Sequence, residues 1–233
     1  MIKKTLLLCF FMSFMISYAQ EKEDDPLSNS SYITFDLFTP VDVYTPRWRV
    51  GYIQGINPHW KFGAKLGYGN NALAIASESN VTNEWRGEDY QIWEVRPEVY
   101  YILSPTHRVK KYLSAEAFYI HHTDTFLNSL YKPGGDENIS IEFDSADFFR
   151  QKYGVNFKFG LFIDIIKRFG INVYAGAGFR IRDNEFSNVI NPSLVLSDNL
   201  DEDIFDIDDF KENEGTDFGV NLSLGVQFVF KID

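Results

Sequence analysis

The chain has 233 residues, of which 45% are hydrophobic, 17% aromatic and 24% charged, and its net charge is −11. The length allows one large domain or two small ones; the composition excludes disordered and collagen-like chains and, with 22 Phe, 13 Tyr and 16 Gly, favours β structure. The acidic balance argues against nucleic acid as a partner, because phosphate backbones are bound by Lys and Arg side chains that displace counterions.

The first predicted element is a secretory signal peptide at residues 1–19. Two lysines precede an apolar run at residues 5–16, and residues 17–19 (SYA) form a small-x-small cleavage site. The alternative, a membrane anchor, needs about 20 apolar residues, and this run is shorter and is followed by the charged residues 21–25. The single cysteine, Cys9, lies inside the signal, so we expect a mature protein without a thiol.

Eight later segments alternate apolar and polar side chains with the period of a β-strand. The last is the clearest, because every second residue from Phe218 to Phe230 is apolar. Its thirteen residues would rise about 33 Å at a tilt near 40°, which exceeds the roughly 25 Å apolar band of an outer-membrane barrel. In chain order the segments are residues 32–38, 47–56, 61–68, 93–103, 113–119, 153–165, 171–182 and 218–230.

The connections between these predicted strands alternate between short and long. Those after the second, fourth and sixth predicted strands are short, at residues 57–60, 104–111 and 166–170. Those after the third, fifth and seventh are long, at about residues 70–90, 123–151 and 183–215. Short periplasmic turns and long extracellular loops are typical of outer-membrane barrels. We therefore predict an all-β, eight-stranded antiparallel transmembrane β-barrel at residues 31–233, preceded by a short N-terminal segment at residues 20–30.

A soluble, lipocalin-like barrel with its apolar face inward is the alternative. Its polar face would meet water and should be rich in Lys, Glu and Thr. The polar faces instead carry many glycines, which suit a crowded lumen, where long side chains need small neighbours. Aromatic residues also gather near both ends of the apolar face, as the two interfaces of a bilayer predict. The glycines are Gly51, Gly55, Gly63, Gly67, Gly154, Gly160, Gly176, Gly178, Gly219 and Gly225.

These features, together with the segment VRPEVYY at residues 95–101, resemble the small eight-stranded outer-membrane barrels of Gram-negative bacteria. That class includes the OmpA membrane domain, OmpW-like proteins and an uncharacterised type of outer-membrane β-barrel domain. The resemblance implies a location in the outer membrane, contact with its lipids and insertion by the outer-membrane assembly machinery. The chain departs from the usual pattern at its end, where Lys231, Ile232 and Asp233 follow the final aromatic residue.

The lumen face of the predicted barrel carries charges of both signs. Paired, they would fill and rigidify the interior, and since eight strands enclose room only for side chains, we expect a salt-bridge plug. The alternative is an ion path or a narrow channel for small solutes. The predicted network comprises Asp36, Arg49, Lys65, Glu94, Arg96, Glu98, Glu116, Lys158, Asp164, Arg180 and Arg182, with Lys61 on the same face.

The outer end of the fifth strand offers one candidate rim site. His122 and Asp124 share a face and could form the hydrogen bond that a general base needs, as in lipid-modifying barrel enzymes. Nothing else completes a triad, so we expect no enzyme and keep a lipid A-modifying barrel as the alternative. We do not expect His121 and His122 to bind one metal ion together, because neighbouring residues of a strand point to opposite faces.

Residues 198–214 are strongly acidic, with nine Asp and Glu against the single Lys211. Calcium takes six to eight oxygen ligands and could bind there, but a solvated loop extended by its own repulsion is the simpler interpretation. We expect no cofactor. The function predicted is a structural or surface-interaction protein that displays acidic loops to a ligand the sequence does not identify.

Overall fold

The computed structural model describes residues 30–42, 44–75, 87–105, 107–135, 139–196 and 209–232. The predicted signal peptide and nearly all of the N-terminal segment lie outside these residues. Within these ranges there are three short 3-10 helices, at Thr39–Val41, Asn71–Leu73 and Pro133–Gly135, and one α-helical turn, α1, at Asp209–Glu212. The strands are β1 (Ser31–Asp36), β2 (Trp48–Gly55), β3 (Trp60–Asn70), β4 (Gln91–Ile102), β5 (Val109–Tyr131), β6 (Ile139–Asp164), β7 (Phe169–Ile190), β8 (Ser193–Leu196) and β9 (Gly215–Ile232).

Eight of these strands form one closed antiparallel barrel. The order around it is β5-β4-β3-β2-β1-β9-β7-β6, and β5 pairs with β6 to close the ring. Among the described strands, the short β8 pairs with the first residues of β6 and with no other strand, outside the ring. The connections β2–β3, β4–β5 and β6–β7 are short, so they define a turn end of the barrel, opposite a loop end.

The two faces of the barrel wall differ sharply in polarity. On β9 the outward-facing Phe218, Val220, Leu222 and Leu224 are 63–77% exposed, whereas most inward-facing charges are buried. An apolar outer surface around a charged interior is suited to a lipid environment. In that environment a closed barrel satisfies the hydrogen bonds of all its backbone groups. The predicted fold class, an eight-stranded antiparallel transmembrane β-barrel, is therefore confirmed. In the part of the chain that the structure describes, no helix is long and apolar enough to cross a membrane.

We call this outward-facing apolar surface the apolar belt. On β9 it runs from Phe230 to Phe218, and on β6 it ends at Tyr153, because the next outward-facing residue on that strand is Gln151. Rings pair along both edges. At the loop end, Trp93 lies 5.2 Å from Tyr119 and Phe179 stacks on Phe218 at 5.9 Å. At the turn end, Trp60 meets Tyr101 at 5.0 Å and Phe169 meets Phe230 at 4.9 Å.

Three strands continue beyond the belt at the loop end, and we call residues 122–131, 139–151 and 183–190 the extension. Much of this chain was predicted to be loop, in residues 123–151 and 183–215, and that assignment is wrong for these residues. The pairing of β5 with β6 continues to Tyr131 and Ile141. The physical reason is an apolar cluster on the inner face, which buries enough area to hold the strands together. It contains Phe126, Tyr131, Phe143, Ala146, Phe148 and Phe186.

β1 pairs with the second part of β9 and leaves the first part uncovered, which makes a gap in the barrel wall. β1 ends at Asp36, and its ladder reaches β9 only at Gln227–Ile232. From Gly215 to Gly225, β9 is paired with β7 on one side, and in the described residues no strand covers its other edge. Residues 37–47 connect β1 to β2 beside that edge, and the Leu37 amide donates to the Val226 carbonyl at 3.0 Å.

Candidate functional site: the barrel lumen

The lumen nearest the turn end is filled by aromatic side chains. Tyr112 lies at the centre, 4.7 Å from the Phe162 ring and 5.3 Å from the Tyr100 ring. A Cβ atom at Gly160 would overlap the Tyr112 ring, so this glycine provides the room for that ring, as the crowded-lumen argument predicts. The whole buried layer comprises Tyr32, Ile53, Tyr100, Ile102, Tyr112, Phe162, Tyr174 and Val229.

Next to it lies an ion-pair layer of four side chains, each 2% exposed or less, which we call the quartet: Lys65, Lys158, Glu98 and Glu116. The Lys65 ammonium contacts Glu98 and lies 3.3 Å from Glu116. The Lys158 ammonium lies 2.6 Å from Glu116 and 3.3 Å from Glu98. Two cations therefore share two carboxylates, which keeps the layer neutral while every charge has two partners.

Arginine guanidinium groups connect the quartet to the loop end. Arg96 donates to Glu116 at 3.0 Å and to Glu94 at 2.9 Å. Glu94 also accepts from Arg49, whose other nitrogen lies 3.0 Å from Asp36. Glu94 thus joins several guanidinium groups, and such charge-assisted bonds are stronger than neutral ones.

A cavity of about 700 Å³ lies on the loop-end side of these pairs. Among the described residues, its lining holds seven cationic side chains and two acidic ones, Asp36 and Asp42. This is the reverse of the chain as a whole, which is acidic. The cationic lining residues are Arg47, Arg49, Arg96, Arg150, Lys152, Arg180 and Arg182; we call this space the basic cavity.

The structure places the predicted network residues on the lumen side of the wall, in separate groups. Asp164 is apart from the others, at the turn end, where it pairs with Lys110. Arg180 and Arg182 lie at the loop end and share the half-exposed Asp217, at 3.7 and 3.3 Å. Lys61 is also at the turn end, with its ammonium over the Tyr32 ring. The remaining predicted residues form the quartet and the arginine–carboxylate pairs beside it.

The predicted network leaves out three cations of the basic cavity: Arg47, Arg150 and Lys152. Arg150 and Lys152 fall just before the predicted start of the sixth strand, at Tyr153. Continuing the alternation backwards through that start would have placed both on the same face as Lys158. Arg47 is the first residue of the predicted second strand and shares a face with Arg49, although the predicted network does not include it. In the structure it lies just before β2, with its Nε 3.0 Å from Glu94.

The predicted rim pair lies in the extension, buried and without the expected hydrogen bond. The His122 ring is packed edge-on against Tyr90 and Phe148, and its Nε2 is 3.8 Å from the Asp124 carboxylate. Asp124 instead accepts hydrogen bonds from the Gly87 and Thr125 amides, both at 2.9 Å. As placed, the pair lacks the contact that a general base needs.

The titration of these two groups follows from their burial. Burial raises the pKa of Asp124 to about 6, against its backbone hydrogen bonds. Burial and the nearby cations, led by Arg150, hold the pKa of His122 well below its usual range, so that its ring is neutral. A neutral ring and a carboxyl outside hydrogen-bond reach form a packed structural pair.

No group of three or more His, Cys, Asp or Glu side chains is placed to hold a metal ion within the described ranges. Most of the acidic segment considered for calcium, residues 198–208, lies outside them, so that prediction stays a prediction. His121 and His122 point to opposite faces, as expected: His121 stacks outside on Trp93 at 5.3 Å.

The comparisons with known proteins identify only distant structural likenesses. No protein-family model and no curated protein matches the chain. It is similar to a major outer membrane protein from Thermus thermophilus, at 11% identity and a TM-score of 0.40, over 88% of this chain and 99% of that one. It is also similar to CarO of Acinetobacter baumannii, at 14% identity and a TM-score of 0.40, over 90% and 99%. Similarity this low carries no argument about function, and the resemblance to OmpA and OmpW-like barrels stays a prediction.

Proposed function

We propose that the protein is a non-conducting barrel of the bacterial outer membrane that displays the extension at the cell surface. The observation that carries this proposal is the sealed lumen. The aromatic layer and the quartet lie next to each other, and every quartet side chain is at most 2% exposed. Turns then face the periplasm and the extension faces outward, as in barrels of this architecture.

The energetics of the quartet support a plug. A hydrated ion crossing this layer would have to separate Lys65 and Lys158 from Glu98 and Glu116. Uncovering one member of a buried ion pair costs about 3 to 5 kcal/mol. Eight strands also enclose only enough space for side chains, whereas open aqueous channels are typical of sixteen or more. A passive channel for small solutes is therefore the weaker interpretation.

Conductance in planar bilayers tests the plug. The refolded full barrel should show no unitary current steps. The variant Lys65→Ala/Glu98→Ala/Tyr112→Ala removes one neutral ion pair from the quartet and the Tyr112 ring from the aromatic layer, and it should produce small steps. The matched control, Lys110→Ala/Asp164→Ala, removes the pair at the turn end and should stay silent. Regular steps from the unchanged protein would refute the plug.

Cysteine labelling in intact cells tests location and orientation together. The variant Ser187→Cys places a thiol on an exposed site of the extension, and Lys167→Cys places one in the exposed β6–β7 turn. A membrane-impermeant maleimide should label the first variant in intact cells and the second only after lysis. The opposite pattern would invert the topology, and recovery of the protein in a soluble fraction would exclude the membrane location.

A further inference from the structure

The basic cavity is an unusual feature for a lumen that otherwise balances its charges. The quartet is neutral, whereas the part of the cavity lining that the structure describes has seven cations and two acids. All of the cations except Lys152 are arginines. The planar guanidinium fork of arginine matches the oxygens of phosphate groups. The cavity therefore has both the volume and the donors of an anion site.

Two of the cations are incompletely satisfied by protein carboxylates. Lys152 has no carboxylate within ion-pair distance among the described residues, and its ammonium lies 5.9 Å from the Phe118 ring. In the described ranges, the one carboxylate that Arg180 reaches is Asp217, at 3.7 Å, which it shares with Arg182. The buried Nε of Arg180 has no hydrogen-bond partner among these residues. An anion entering the cavity would supply the missing acceptors.

The mouth of the cavity lies at the gap in the barrel wall. Its lining includes the inward-facing Asn221 and Ser223 and also the outward-facing Leu222 and Leu224. Residues from both faces of one strand can line the same space only at an edge of the sheet, and this is the β9 edge that β1 leaves uncovered. The opposite side of the mouth is formed by the β1–β2 connection, through Phe38, Thr39, Asp42, Tyr44 and Thr45.

We propose that the basic cavity is a binding site for a phosphate-bearing anion, admitted through the gap between β9 and the β1–β2 connection. The phosphate oxygens accept from the guanidinium groups of the cavity and from Lys152. The position of the mouth, beside the lipid-facing Leu222 and Leu224, also allows an amphiphile to place its headgroup inside while its chains remain in the bilayer. Binding at this site is independent of whether the lumen conducts.

Calorimetric titration of the refolded full-length barrel with pyrophosphate is the first test. Removing two cavity charges in Lys152→Gln/Arg180→Gln should weaken binding at least tenfold. The control Lys167→Gln/Arg168→Gln removes the same net charge from the exposed β6–β7 turn and should leave affinity unchanged. Equal losses in both variants would reduce the effect to net charge and overturn the proposal, as would unchanged binding in the cavity variant.

A second variant protects the test against misfolding. Ser223→Glu leaves every cation in place but puts a carboxylate into the cavity, so it should block the binding of pyrophosphate. A correctly folded variant should still migrate differently on gels before and after boiling, as a closed barrel does. Undiminished binding in this variant would also refute the site.

A lipid arm distinguishes the two sources of phosphate. The barrel in neutral detergent is offered phosphatidic acid or phosphatidylcholine, and retained lipid is measured by native mass spectrometry. Selective retention of phosphatidic acid, lost in the cavity variants, identifies a lipid headgroup. Pyrophosphate binding without lipid retention identifies a free anion. Binding of neither probe overturns the proposal.

Discussion

Placing an arginine at the centre of the apolar belt tests the assignment of the outer face to lipid. Leu224 is the position of choice, because it is 72% exposed and lies midway between Phe218 and Phe230 on β9. With a rise of about 3.3 Å per residue and a tilt near 40°, it is about 15 Å from either edge of the belt. Leu224→Arg thus carries its charge to the depth where hydrocarbon surrounds it.

The expected cost is large for a side chain that is exposed on the barrel. An arginine at the midplane of such a barrel costs about 2 to 4 kcal/mol, and near an interface about 0 to 1 kcal/mol. In water the same substitution at an exposed position would change stability by less than about 0.5 kcal/mol. The size of the loss in the free energy of unfolding therefore distinguishes a surface that faces lipid from one that faces water.

Denaturant unfolding in lipid vesicles, followed by tryptophan fluorescence, measures this cost. Gln151→Arg is the matched control, because it places the same charge on the same outward face just beyond the belt. Leu224→Ala separates the loss of the leucine side chain from the cost of the charge. Equal free energies of unfolding for Leu224→Arg and Gln151→Arg would refute the assignment of the belt.

Three further predictions concern the extension and the quartet. Burial raises the pKa of Asp124 from 3.8 to about 6, so its stabilising contribution is present below pH 3.8 and is lost as the pH rises through 6. Asp124→Asn removes this titration but also leaves one of the Gly87 and Thr125 amides without its acceptor. The rate of hydrogen exchange in the extension of Asp124→Asn, divided by that of the unchanged protein, should therefore be higher at pH 3.5 than at pH 7, and an equal ratio at both would contradict this. Phe186→Ala should lower the local stability of the extension by about 3 to 5 kcal/mol, so protease added to intact cells should cut β5 and β6 faster. The barrel itself should stay closed and still migrate differently on gels before and after boiling. Loss of that difference would show that the barrel depends on the extension. Glu116→Gln should destabilise the barrel by about 3 to 5 kcal/mol, because it leaves buried cations without their carboxylate. Adding Lys158→Met should restore part of this loss, measured as the free energy of unfolding in a denaturant titration. Purely additive effects of the two substitutions would contradict an interaction between Glu116 and Lys158.

The barrel itself could be predicted because each strand carries its own signal. The alternation from Phe218 to Phe230 defines both faces of β9 without reference to any other strand, and the short connections fix its antiparallel neighbours. The extension escaped prediction for the opposite reason. Most of its outward residues are polar, and its inner apolar residues, such as Phe126 and Phe186, are brought together from distant parts of the chain. A strand stabilised mainly by such a cluster has a weak local pattern.

The basic cavity could be predicted only in part. Arg180 and Arg182 were assigned to the lumen from the alternation of β7, but Lys152 lies outside the predicted limits of its strand. The mouth depends on the lengths of paired strands, since β1 ends at Asp36 while β9 continues to Gly215 at the loop end. A gap of this kind follows from the register of the closed sheet, which no single segment of the sequence encodes.

The cavity also limits what net charge says about binding partners. The chain carries −11 overall, and this acidic balance argues against nucleic acid as a partner. Charges separated by more than about 10 Å of salt solution are largely screened from each other, so acidic loops outside the barrel do not cancel a potential inside it. Within the wall the effective dielectric is lower and the field of the arginines is stronger. An acidic protein can therefore hold a strongly basic site, provided that the cations face a small enclosed space and the ligand is small enough to enter it.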